Sequence, residues 1–154
     1  MKLEKDYEEF VALLNDHKVQ YLIVGAYAVS YYARPRNTGD IDFFIGNSDK
    51  NIKQLLKVLQ KFGFGALDLT KEDLSGDDKI LQLGYEPVRI DIMTGISGVS
   101  FEEAYSNREQ GKLGSQIVNF ISLDDLIINK RASNRTKDKA DAELLIEFRK
   151  DDSY

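Results

Sequence analysis

The run Arg36-Asn37-Thr38-Gly39-Asp40-Ile41-Asp42-Phe43-Phe44-Ile45 sets two carboxylates inside an apolar, β-prone stretch. An unpaired carboxylate is expensive to keep ionised among such neighbours. Side chains alternate along a strand, so Asp40 and Asp42 share one face while Ile41 and Phe43 fill the other. Val88-Arg89-Ile90-Asp91-Ile92-Met93 has the same alternation with a single acid. Two such strands side by side bring three carboxylates together, and a divalent cation is the simplest group that stabilises them there. Asp40, Asp42 and Asp91 are thus the candidate metal ligands.

Composition narrows the ion. The 154 residues include no cysteine and one histidine, His17, so thiolate and His-rich zinc sites are excluded. A hard cation held by oxygen, Mg²⁺ or Mn²⁺, is the expectation. The net charge of −5 argues against an extensive nucleic-acid surface, which needs an electropositive face. The small basic groups, Arg34 with Arg36 and Lys130, Arg131, Arg135, Lys137 and Lys139, read first as solvated faces. No apolar run approaches the ~20 residues of a membrane span. The charged start, Met1 to Asp6, has no signal-peptide core, so a cytoplasmic protein is expected.

The length suits one domain, 1–154. Helical spacing predicts a helix from about Leu3 to Asn15, then a buried strand at Val19–Val24 and a helix at Tyr27–Ala33 ended by Pro35. Asp40–Ile45 is the second strand. Ser48 is a plausible N-cap for a helix through Phe62, with Gly63 as its stop. Phe64–Leu69, Lys79–Leu83 and Val88–Met93 read as strands, Phe101–Tyr105 as a short helix, and Gln116–Ile121 as another strand. Ser122-Leu123-Asp124-Asp125 opens a helix to about Ala132. A last helix, Thr136–Arg149, should turn Ala140, Leu144, Leu145 and Phe148 inward. The fold class is α+β, one mixed sheet with helices packed against it.

A strand ending in Gly25-Ala26, a short helix, Arg36-x-Thr38-x-Asp40-Ile41-Asp42 and a later lone Asp91 resemble the nucleotidyltransferase superfamily, with its DNA polymerase β-like palm. The small size resembles its minimal and abortive-infection-type members. The tail from Ile121 to Lys130, followed by Arg135-x-Lys137-Asp138-x-x-Asp141, is similar to the helical ending of the latter. The likeness spans about Val19 to Phe148, with the palm core at 19–93 and C-terminal helices at 122–149. Asp-x-Asp alone is weak; the ordered set is far more specific.

The resemblance implies transfer of a nucleoside monophosphate from a nucleoside triphosphate to a hydroxyl on a small molecule, a tRNA or a protein. Two Mg²⁺ or Mn²⁺ ions, roughly 3.5–4 Å apart, would stabilise the attacking and leaving oxygens. Asp40 and Asp42 would hold both, and Asp91 would complete the acceptor-side ion. Gly25 and Ala26 would bring backbone amides to the phosphates. Arg36, Thr38, Lys130 and Arg135 would lie beside the nucleotide. The family has Gly or Ser where this chain has Ala26; the missing hydroxyl costs about 0.5–1.5 kcal/mol of binding.

Plainer roles stand beside these. Asp91 could pair with Arg89 on its own strand, Gly25 could serve helix–strand packing, and His17 could cap a helix end. Tyr27, Tyr31 and Tyr32 could stack a base or cover the core. Lys130 and Arg135 could join an ion-pair network with Asp138 or Asp141. The alternative function is a non-catalytic subunit of a toxin–antitoxin or phage-defence pair, acting through a protein partner. A homodimer is also compatible with the sequence.

Overall fold

A computed structural model describes residues 5–35, 39–85 and 88–152. Helix α1 (Lys5–Asp16) leads into β1 (Tyr21–Val24), α2 (Gly25–Tyr32), β2 (Asp40–Ile45) and α3 (Asp49–Leu59). Then follow β3 (Ile80–Tyr85), β4 (Val88–Met93), α4 (Phe101–Ser106), β5 (Glu109–Leu113), β6 (Gln116–Phe120), α5 (Leu123–Ala132) and α6 (Thr136–Asp152). The strands form one mixed sheet in the order β3-β4-β2-β1-β6-β5. This is the α+β architecture expected.

The sheet centre is where the sequence is most apolar. All four residues of β1 are buried, and β1 pairs antiparallel with β2 and parallel with β6. Ile41, Phe43 and Ile45 join Ile90 and Ile92 in the core with Tyr7, Phe10 and Leu14 of α1 and Ile52, Leu55 and Val58 of α3. Phe10 sits against Phe43 at 5.4 Å between ring centres. Burying each such side chain stabilises the fold by about 1.5–3 kcal/mol. On the other face Phe44 meets Phe101 of α4 edge-on at 5.2 Å. Helices α5 and α6 pack on each other and on α2.

Local signals placed several elements correctly. Ser48 and Ser122 accept hydrogen bonds from the Asn51 and Asp125 amides, as N-caps do. Three readings fail. Phe64–Leu69 is not a strand: α3 runs into a π turn at Gln60–Phe64 and a 3-10 turn at Gly65–Leu67. Gly63, at φ 115, allows the reversal, and Phe62 packs on Phe10 at 5.1 Å instead of entering the sheet. The sequence reading also missed β5, whose Glu-Gln-Gly-Lys-Leu is too polar to show a strand period. It is an edge strand that pairs antiparallel with β6 across Gly114-Ser115. That dipeptide between two extended segments was the available hairpin signal. On α6 the inward residues are Asp141, Ala142 and Leu145, with Leu144 and Phe148 partly buried, while Ala140 is exposed.

Candidate active site

Strands β2 and β4 are adjacent and parallel, in a register that sets Asp42 beside Asp91 and Asp40 beside Arg89. The three aspartates share a sheet face, and one oxygen from each lies within 4.8 Å of the others. Asp91 is buried; Asp40 and Asp42 are half-buried. Burial, followed by the charges of Asp40 and Asp91, pushes the Asp42 carboxyl up to about 7. Such a group keeps a proton near neutrality unless a cation displaces it. An all-oxygen donor set of this kind fits Mg²⁺ or Mn²⁺.

Arg89 belongs to this cluster, and the sequence reading gave it only as a possible ion-pair partner of Asp91. Its Nε donates to Asp91 Oδ1 at 2.9 Å, and its Nη2 donates to Asp91 Oδ2 and Asp40 Oδ2 at 3.1 Å each. The pair is not a solvated surface bridge, because the Asp91 side chain is only 8% exposed. The signal was Arg-x-Asp on a strand, a spacing that puts both side chains on one face. Tyr7 of α1 donates its hydroxyl to the Arg89 carbonyl oxygen at 2.9 Å, which ties down the backbone here.

Gly25 opens α2 at φ 68, and a Cβ there would stand 2.1 Å from Asp42 Oδ2. Glycine is therefore required twice, by the backbone angle and by the close approach of the carboxylate. Val24, the N-cap, supplies no side-chain hydrogen bond to the first turn. The amide end of α2 thus begins beside the acids, with Gly25 and Ala26 at its tip. Further along α2, Tyr27 and Tyr32 are buried in the core, and Tyr31 stacks on Phe120 at 4.0 Å. His17 contacts the Leu13 carbonyl near the end of α1, a structural position.

Lys130 and Arg135 part company. Lys130, buried on α5, donates to Asp138 at 3.1 Å and lies 3.5 Å from Asp141, both on α6. Burial works against the Asp138 charge, but hydrogen bonds from Ser133 and Lys130 outweigh it and hold the carboxyl below its ordinary value. Arg135 is exposed, and its amide donates to Ser133. Arg36 and Thr38 lie outside the described residues. Lys130→Ala would remove the cation that Asp138 and Asp141 share between α5 and α6. Chemical denaturation should register a loss of roughly 3–5 kcal/mol, and a change under 1 kcal/mol would mean the cluster is solvated.

Neither of two nearby cavities has Asp40, Asp42 or Asp91 in its wall. One of about 350 Å³ is lined by Phe44, Thr94, Phe101 and the acids Asp77, Asp78 and Glu102. Phe44 is two residues from Asp42 on the same strand face. Another, of about 460 Å³, is lined by His17, Lys18, Gln20, Lys50 and Asn51. It lies at the opposite end of β1 from Gly25, away from the aspartates.

An acidic trio on adjacent parallel strands, beside a helix that starts at a glycine, defines a palm of the nucleotidyltransferase type. The chain belongs to the family described as "Nucleotidyltransferase of unknown function (DUF6036)", whose profile matches residues 1–146. Among solved structures it is similar to the lincosamide antibiotic adenylyltransferase LnuA in its lincomycin-bound form. That likeness has a TM-score of 0.57 over 94% of this chain and 97% of the other, at 16% identity, and shows a shared fold. No curated protein sequence matches the chain. Among the described residues no helix is long and apolar enough to cross a membrane.

Proposed function

We propose that this chain is a Mg²⁺-dependent nucleotidyltransferase that moves a nucleoside monophosphate from a nucleoside triphosphate to a hydroxyl. The convergence of Asp40, Asp42 and Asp91 within 4.8 Å carries the reading. In the reaction the acceptor oxygen bonds to the α-phosphorus, the bond to pyrophosphate breaks, and the hydroxyl proton is released. Asp40 and Asp42 would hold the divalent ions, with Asp91 completing the acceptor side. When bound, those ions offset the negative charge that gathers on the attacking and leaving oxygens. Asp91 would also take the acceptor's proton on a carboxylate oxygen.

The start of α2, Gly25 and Ala26, would face the triphosphate with backbone amides. Arg36, Thr38, Lys130 and Arg135 are carried as nucleotide contacts on the resemblance alone. The whole chain would act as one domain in the cytoplasm, where Mg²⁺ and nucleoside triphosphates are plentiful.

Incubation with α-labelled nucleoside triphosphates, Mg²⁺ and a host small-molecule extract should label a metabolite, and EDTA or Asp42→Asn should abolish the labelling. No label on any fraction, with no calorimetric binding of Mg²⁺ and nucleotide, would remove the proposal. The second reading, a non-catalytic subunit of a toxin–antitoxin or phage-defence pair, draws support from the guanidinium already seated on Asp91. It requires a stoichiometric partner whose capture survives Asp42→Asn.

A further inference from the structure

The metal reading leaves one cation unexplained: the protein has placed its own among the ligands. Arg89 grips both oxygens of Asp91 and one of Asp40, at 2.9–3.1 Å. A planar guanidinium matches a carboxylate through two parallel N–H donors, and such bidentate pairs are the strong ones. This fork is built from the strand pattern, since Arg89 and Asp91 share a face of β4 and Asp40 stands directly across from Arg89. The Tyr7 hydroxyl holds the Arg89 carbonyl from the other side of the backbone, so the strand stays in place even if the side chain moves.

We infer that Arg89 is a positioning residue that stands in for one of two divalent cations, so that the nucleotide-free site takes up a single ion. The inference rests on the nucleotidyltransferase reading of the same aspartates. With a metal ion bound the three ionised carboxylates carry a formal −3, which one guanidinium lowers to −2, the charge that one divalent ion balances. Asp91 is the ligand most affected, because both its oxygens already accept from Arg89. A second ion at Asp91 has to displace the fork. An incoming triphosphate can offer the guanidinium its own oxygens and free Asp91 for that ion, which couples completion of the site to nucleotide arrival.

Mn²⁺ titration of the full chain without nucleotide, counting free ion by electron paramagnetic resonance, tests this. Wild type should bind one ion per chain. Arg89→Gln, neutral and close in length, should bind two, or bind the first about tenfold more tightly. Arg89→Lys retains a cation and should keep the count at one. Two ions on the wild type, or an Arg89→Gln variant matching wild type in count and affinity, overturns the inference and leaves the nucleotidyltransferase proposal standing. No uptake by any of the three proteins also overturns the inference, and the nucleotidyltransferase proposal is then decided by the labelling experiment. If the Gln variant fails to fold, the wild-type count alone decides.

Discussion

Asp42→Asn is expected to abolish nucleotidyl transfer, by about a thousandfold or more, while making the metal-free protein more stable at pH 8. The first effect follows from removing the carboxylate at the centre of the trio. The second follows from its protonation. In the folded chain the Asp42 carboxyl titrates at about 7 instead of its ordinary 3.8. Between those values the native state holds a proton that the unfolded chain has released. Stability from this group is therefore complete below about pH 4 and is lost as pH rises through 7. Each unit of that window is worth at most about 1.4 kcal/mol, and partial solvation discounts the whole to roughly 2–4 kcal/mol.

Asparagine has the same shape without the charge, so the variant should lose this slope. Saturating Mg²⁺ should restore stability to wild type above pH 7, by binding the ionised carboxylate, and leave the variant unmoved. Thermal melts at pH 5 and pH 8, with and without Mg²⁺, read all four conditions. Parallel pH profiles for the two proteins would mean that Asp42 ionises without strain. The electrostatic account would then be wrong.

Gly25→Ala should damage both the fold and the site. The new Cβ meets two costs, a left-handed φ of 68 and an oxygen of Asp42 at 2.1 Å. Backbone strain of this kind costs about 1–2 kcal/mol, and relieving the overlap displaces either the carboxylate or β2. A total loss of about 2–4 kcal/mol in urea denaturation is expected, with transfer activity lost even in the fraction that folds. Gly63→Ala is the control, since its φ of 115 is strained but nothing lies within 4 Å of the added atom. Equal losses from the two variants, with activity kept in Gly25→Ala, would show that the carboxylate does not need the glycine.

How far the chain could be read varied with the range of the forces involved. Asp40–Ile45 and Val88–Met93 have the bounds that alternation predicted. Each strand's two faces are defined within six residues, and no distant partner is needed to see them. The serine N-caps at Ser48 and Ser122 were legible for the same reason, because the hydrogen bond spans three residues. Phe64–Leu69 was misread because Phe64, Leu67 and Leu69 suit a strand as well as a turn. The turn is marked by tertiary contact, Phe62 packing on Phe10. The β5 strand is held by its hairpin with β6 and buries one large side chain, Leu113, so its sequence carries almost no period.

The candidate site divides along the same line. Which residues are acidic, and which face of its own strand each occupies, came from the sequence, because the pleat imposes a period of two on any extended chain. That Asp42 lies beside Asp91, that Arg89 reaches across to Asp40, and that Gly25 touches the carboxylate were decided by the tertiary structure. Those facts depend on the order and register of β4, β2 and β1, set by side chains packed on the opposite face. A one-residue slip would keep every residue and scatter the cluster, so the chemistry was local while its assembly was not.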